Sequence, residues 1–372
     1  MGLSDEERDQ LRAAVRGLLD ERSSSAQVRA LFDDPLGYDP DLWDRMAGLG
    51  WLAMHLPEDH GGMGGSHADL AVVLQELGRH LTPSPLTASV VLGAGALVLG
   101  DNAPLRAAEL PALADGSRKA TLASCPPGGS CDPDRLEMRW QPLAGGGRLD
   151  GVAGFVPYAR VAELVVVAAL GPSGPVLVAV DLPVAGVTID ASPVYDRTRR
   201  FDVVRCDGVG VAADHVVAGP ETAREVLGRL NDLGAIAAGC DGLGVAERAT
   251  ERTALYATQR FQFGRPIGSF QAVKHHCANM LVATEASRAA VLGAVDALDQ
   301  PGADVGEAAA IVKAFAATAC AEACAVSVQV HGGIGFTWED DCHLLLKRAK
   351  LDEAWFGTPA WHRRRLAARL LA

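Results

Sequence analysis

Hydrophobic periodicity changes twice along this chain, and the two changes restrict it to a helical, then β, then helical order. From Ser4 to about Leu113 apolar residues recur at helical spacing: Leu11, Val15, Leu18 and Leu19, then Leu42, Met46 and Leu49, then Leu70, Val73, Leu74 and Leu77. Between about Lys119 and Val217 the pattern becomes short β-branched runs, Leu164–Val167 and Val176–Val180, separated by glycine and proline clusters at Gly145–Gly147 and Gly171-Pro172. The intervals between those runs are too short for crossover helices, so antiparallel pairing is expected. Beyond Pro220 the helical period returns, in one segment to about Thr258, a second from Phe270 to Leu298, and a third from about Val305 to Gly332-Gly333, where glycine closes a helix. Thr337 and Asp340 resemble a capping box that opens a fourth. The expected fold is α+β and mostly α, with an N-terminal helical domain at 1–117, an antiparallel β-barrel or sandwich at 118–217 and a helical C-terminal domain at 218–372.

Charge and cysteine usage narrow the function. The 372 residues carry 34 Lys and Arg against 46 Asp and Glu, a net charge of -12. That balance argues against nucleic acid as a partner, which would need a surplus of basic residues on one face. No apolar run of the ~18 residues a membrane helix requires is free of glycine, proline and charge, so no membrane partner and a cytoplasmic location are expected. The eight cysteines are scattered without CxxC spacing and are expected to be reduced core residues. Neither they nor the ten histidines gather a metal-ligand set, so no metal is expected.

Three segments carry possible chemistry. Ala235–Ala246 holds a single carboxylate, Asp241, among small and apolar residues and three glycines. Each helical glycine costs roughly 1 kcal/mol relative to alanine, so something must approach this helix closely. A bound ring with Asp241 as a desolvated base is one reading. A helix crossing with Asp241 paired to an arginine is the other. Arg260–Gln271 is a loop with two guanidinium groups, two amides and several aromatics, and guanidinium forks match phosphate oxygens; the same residues taken singly would cap helix ends or fill a core. Gln329–Glu339 ends one helix and begins another around Gly332-Gly333-Ile334-Gly335, an arrangement whose free N–H groups can hold phosphate and which is also a common chain reversal.

Together the second and third segments resemble the two signature regions of the acyl-CoA dehydrogenase family. Leu49-Gly50-Trp51 through Gly62 is similar to that family's N-terminal helical domain, and Phe201 to Gly219 to its strand-to-helix junction, so the resemblance covers nearly the whole chain. It implies a helical domain, a β-domain and a C-terminal four-helix bundle. It also implies FAD as cofactor, an acyl-CoA or related thioester as substrate, removal of the α-hydrogen as a proton and the β-hydrogen as hydride to flavin, and electron-transfer flavoprotein as acceptor. By position, Arg260, Phe263, Gln271, Gln329, Gly332 and Gly333 would contact the ADP half of FAD across a subunit boundary, and Thr358, in Gly357-Thr358, would lie beside the flavin.

The departures from the family pattern concern the catalytic end. Phe356 stands where many members place their catalytic glutamate, and Gly234 where another branch carries its base. Asp241 lies seven residues on, two turns along the same helix face, and resembles an acid found there in an actinobacterial-type branch that shares the ending at Phe356–Arg363, so the resemblance implies Asp241 as base, with Asp232 and Glu247 as weaker candidates. The family's Thr-Glu-Pro becomes Ser124-Cys125-Pro126, and its Trp-Ile-Thr-Asn becomes Phe155-Val156-Pro157-Tyr158. Pro157 lacks both the hydroxyl and the N–H the family aims at flavin, while Phe155 can still stack. The resemblance therefore implies a homo-oligomer or a heteromeric enzyme acting on fatty or steroid side chains. Its alternatives are a half-site partner subunit, or an oxidase or monooxygenase on the same scaffold.

Overall fold

A computed structural model describes residues Gly2 to Leu371 and divides them into two packed units. The units do not follow chain order. One holds 31–66 and 83–234; the other holds 3–30, 67–82 and the C-terminal residues from Ala235. The N-terminal helices, expected as one domain at 1–117, are thus shared between the two.

The first unit is built on eight strands: β1 (Ala120–Ala123), β2 (Arg139–Leu143), β3 (Gly146–Pro157), β4 (Leu164–Gly171), β5 (Gly174–Asp181), β6 (Val187–Ser192), β7 (Phe201–Ala212) and β8 (Val216–Ala218). They form one sheet in the order β6-β7-β3-β2-β4-β5-β8, with β1 also on β4. The two valine-rich runs read from sequence become the hairpin β4–β5, in register from Leu164↔Asp181 to Gly171↔Gly174. Val165, Val167, Val178 and Val180 lie in the sheet core with Met138, Leu149 and Val204. The pairing is mixed, not purely antiparallel. β1 runs parallel to the first half of β4, and Arg139 of β2 pairs parallel with Leu170 at its far end. Connection length restricts only strands adjacent in sequence; β1 and β2 reach the same edge of β4 from elsewhere in the chain.

The second unit is helical. It contains α1 (Asp5–Arg22), α2 (Ser25–Ala30), α4 (His67–Arg79) and the C-terminal helices, while α3 (Pro40–Gly48), α5 (Gly95–Leu99) and α6 (Ala103–Ala114) belong to the first unit. Helix α7 (Ala223–Gln259) begins in the first unit and continues into the second. It is followed by α8 (Gln271–Asp299), α9 (Val305–Ile311), α10 (Ala317–His331), α11 (Cys342–Ala354) and α12 (Pro359–Leu370). Helix α1 opens with a full capping box between Ser4 and Glu7. Between α9 and α10 the chain does not break but widens into a π-bulge over Val312–Ala316. This apolar stretch, Val305–Phe336, is long enough to span a bilayer by composition, yet 56% of its most apolar window is buried inside the protein, as in a core helix. Thr337 does not cap α11: its hydroxyl donates to the Ile334 carbonyl, and Asp340 instead accepts from the Cys342 N–H.

Candidate functional site

The segment 235–246 of α7 is enclosed by other helices of its own unit. A Cβ at Gly239 would sit 2.3 Å from the Val312 side chain on the π-bulge, and one at Gly244 would sit 1.9 Å from the Gln75 carbonyl of α4. Neighbouring backbone and side chains, not a flat ligand, therefore account for these glycines. Asp241 is 4% exposed and accepts from Arg348 of α11 through both oxygens, Nε at 2.9 Å and Nη2 at 2.8 Å. This is the helix-crossing alternative. A carboxylate gripped by a buried guanidinium is stabilised as the anion, with both oxygens engaged, which argues against Asp241 as the base. Glu247 is similarly enclosed: Gln75 donates to it at 2.5 Å and Arg288 lies at 2.7 Å. Burial raises its pKa, opposed by the charges of Arg288 and Arg79. Asp232 is buried on the part of α7 that belongs to the first unit.

The helix ends next to the two signature segments meet at the other end of α7. Tyr256 stacks on His331 with centroids 4.2 Å apart, Thr253 donates to Ser327 at 2.8 Å, and Arg252 pairs with Asp340 at 3.0 Å. These contacts join the ends of α7 and α10 to the start of α11. His331, Asp340 and Cys342 place possible metal-ligating atoms within 4.8 Å of one another. The Arg252 guanidinium already neutralises the carboxylate, His331 Nδ1 bonds the Ser327 carbonyl, and burial pushes the Cys342 thiol up to about 12. The carboxylate and the imidazole are thus already engaged by Arg252 and the Ser327 carbonyl, and we read the cluster as a hydrogen-bonded joint.

Beyond this joint the chain leaves α7 through a hairpin, Phe261–Gln262 against Arg265–Pro266. Phe263 and Gly264 form its tip with φ of +53° and +75°, the geometry of a type I′ turn. Phe263 is 90% exposed. Arg260, Gln271 and Gln329 are also exposed, and among the described residues their side chains make no hydrogen bond or ion pair. Gly332 takes φ +65° and ψ -141°, a region open essentially to glycine alone, and a Cβ there or at Gly333 would meet nothing. Uncommitted guanidinium and amide donors, together with exposed glycine backbone, are groups that would hold the ADP half of a flavin dinucleotide. When bound, the isoalloxazine would supply the hydride acceptor.

The residues expected at the flavin ring lie partly in the first unit. Phe155 sits where β3 and β7 shift register, between Ala153 and Val156, with φ +50° and its ring 41% exposed. The Gly154 N–H donates to the Cys125 carbonyl, which ties the Ser124–Pro126 turn to this bulge. Thr358 is in the second unit, where it caps α12 by accepting from the Trp361 N–H.

Three residues organise the second unit, and sequence reading did not single out two of them, Arg348 and Lys313. Arg348 is the partner of Asp241. Lys313 is fully buried, with its ammonium donating to the carbonyls of Asp352, Glu353 and Trp355, and His362 bonds the Phe356 carbonyl at 2.9 Å. A signal for Lys313 existed: it is the lone charge in Ala308–Ala321, the same pattern that drew attention to Asp241.

Family models for the acyl-CoA dehydrogenase N-terminal and C-terminal domains match residues 5–117 and 226–371. The chain is 32% identical to acyl-CoA dehydrogenase IpdE2 of Mycolicibacterium smegmatis, over 98% of both chains, and 34% identical to IpdE2 of Mycobacterium tuberculosis over 92% of this chain and 91% of that one. Among solved structures, a variant of the Tcur3481–Tcur3483 steroid ACAD superposes with a TM-score of 0.89 at 30% identity, covering 98% of each chain. The ChsE4–ChsE5 complex from Mycobacterium tuberculosis superposes with a TM-score of 0.90 at 28% identity, covering 99% of this chain and 98% of that one. This chain therefore belongs to the acyl-CoA dehydrogenase family of FAD-dependent oxidoreductases.

Proposed function

We propose that this chain serves α,β-dehydrogenation of an acyl-CoA thioester as one subunit of a heteromeric enzyme. It contributes the ADP-binding half of a flavin site, and a related subunit contributes the base. The observation that carries this reading is the fate of the carboxylates. Phe356 occupies the family's usual glutamate position and Asp241 is locked to Arg348. The ADP-side residues, by contrast, match the family pattern and stand exposed with their donors free. Helix α8 buries only six of its 29 residues and leaves Leu281, Val282 and Leu292 exposed, and Phe263 projects from its hairpin. Exposed apolar side chains of this kind suit a subunit interface.

In this arrangement Arg260 and the amides of Gln271 and Gln329 bind and orient the diphosphate and adenosine, with Gly332 allowing close backbone approach. The α-proton goes to a carboxylate of the partner, and electrons leave to electron-transfer flavoprotein. The two solved heteromeric relatives support a two-chain assembly, and the steroid ACAD among them supports a bulky acyl group as substrate class. Eight free cysteines suit a reducing, cytoplasmic compartment.

The test is co-expression. The chain purified alone is expected to show weak or no flavin absorbance. Co-purified with a relative that carries glutamate before its Gly-Thr, it should be yellow, and acyl-CoA should bleach it under anaerobic conditions. A yellow homo-oligomer that bleaches unaided would overturn the heteromeric reading. Oxygen-dependent turnover with supplied reduced flavin would instead favour an oxidase or monooxygenase.

A further inference from the structure

The turn between α11 and α12 has an uncommon backbone. Phe356 has φ +61° and Gly357 φ +97°. The left-handed region is unfavourable for a non-glycine residue, so something must hold Phe356 there. Two groups do, on consecutive carbonyls. The Lys313 ammonium, 0% exposed, donates to Trp355 O at 2.7 Å, to Glu353 O at 3.1 Å and to Asp352 O. His362 Nε2 bonds Phe356 O at 2.9 Å, and Arg365 Nη1 lies 3.4 Å from its Nδ1. Arginine only donates, so Nδ1 is the acceptor, and Nε2 carries the proton that Phe356 O receives.

Lys313 is there because of local structure on both sides. The last carbonyls of α11 have no intrahelical partner and form the negative pole of the helix, which favours a cation. The π-bulge at Val312–Ala316 supplies it; such bulges often mark functional positions. Gly239 of α7 admits the bulge, since any Cβ would meet Val312 at 2.3 Å. On the far side Thr358 caps α12, so the turn is tied at both ends, and Trp355 stacks on Phe356 with centroids 4.4 Å apart.

We propose that Lys313 and His362 are positioning residues that fix the Trp355 and Phe356 carbonyls and hold this turn preorganised, presenting the Phe356 ring and Gly357-Thr358 to flavin and acyl thioester. This rests on the proposed function for what the turn faces; the clamp itself is a property of this chain. Lys313→Met keeps the length and apolar stem but strands three buried carbonyls, Lys313→Arg keeps donors, His362→Leu removes the donor, and His362→Gln restores an N–H.

Two measurements test it. Hydrogen exchange of the chain should show faster exchange confined to peptides spanning 353–362 in Lys313→Met and His362→Leu, with partial recovery in His362→Gln. Unchanged exchange in that turn would overturn the clamp, and a global rise in exchange would assign the residues to general stability instead. In the co-expressed flavoprotein, kcat/KM should fall about 10- to 100-fold, the scale of a 1 Å misplacement, at unchanged FAD affinity and recovering in His362→Gln. Loosened exchange with normal kcat/KM would overturn the positioning role. If the wild-type pair binds FAD but turns over no thioester, the proposed function fails. The presentation role then fails with it, whereas the clamp stands or falls on hydrogen exchange.

Discussion

Replacing Asp241 by asparagine separates a structural carboxylate from a catalytic one. Asp241 and Arg348 have side chains 5% and 4% exposed and share two hydrogen bonds of 2.8 and 2.9 Å. An exposed pair would be worth about 1 kcal/mol or less. Here asparagine leaves a buried guanidinium without its counter-charge, and breaking such a pair costs about 3–5 kcal/mol. Replacing both partners by apolar residues, as in Asp241→Leu with Arg348→Met, removes the uncompensated charge and should recover most of that loss, since buried ion pairs are often no more stabilising than hydrophobic packing. The assay is urea unfolding of the flavin-free chain by circular dichroism for the single and double variants, as a double-mutant cycle. The expected coupling energy is at least about 2 kcal/mol. If Asp241→Asn unfolds at the wild-type midpoint while the co-expressed enzyme loses thioester-dependent bleaching, the structural assignment is wrong and Asp241 returns as base.

His362 should make stability depend on acidity. Burial is the main cause that lowers its pKa from 6.5 to about 4. A depressed histidine pKa means the unfolded chain takes up a proton before the folded one, so stability is lost as pH falls from about 6.5 to about 4, by up to about 3 kcal/mol. His362→Leu should flatten that interval of the stability-versus-pH curve; an unchanged slope would contradict the assignment. Gly244→Ala forces a methyl to 1.9 Å from the Gln75 carbonyl and should lower stability by about 1–3 kcal/mol. Gly17→Ala on α1 meets nothing within 4 Å and should raise it by about 0.5–1 kcal/mol, both changes read by urea unfolding. Phe263→Asp should leave the fold's circular dichroism intact but prevent co-purification of a partner subunit; an unaltered complex on size-exclusion chromatography would remove the hairpin tip from the interface.

Much of this protein is legible in its sequence because periodicity and turn chemistry are local. The helix expected from Phe270 to Leu298 is Gln271–Asp299, and the one expected to stop at Gly332-Gly333 ends at His331. The valine runs became a hairpin, and the helix ends next to the two signature segments became a joint, with Arg260, Gln271 and Gln329 exposed. What the sequence left open was which distant residue faces which. Asp241 in an apolar helix is equally a buried base or half of an ion pair until Arg348, 107 positions away, is placed beside it. The three glycines around it report close approach but not by what. Only packing decided that α1, α2 and α4 belong with the C-terminal helices, that β1 runs parallel to β4, and that Lys313 reaches the end of α11. Local propensity acts within a few residues, whereas a buried charge is satisfied by whatever partner the fold brings within hydrogen-bonding distance, and that choice belongs to the assembled tertiary structure.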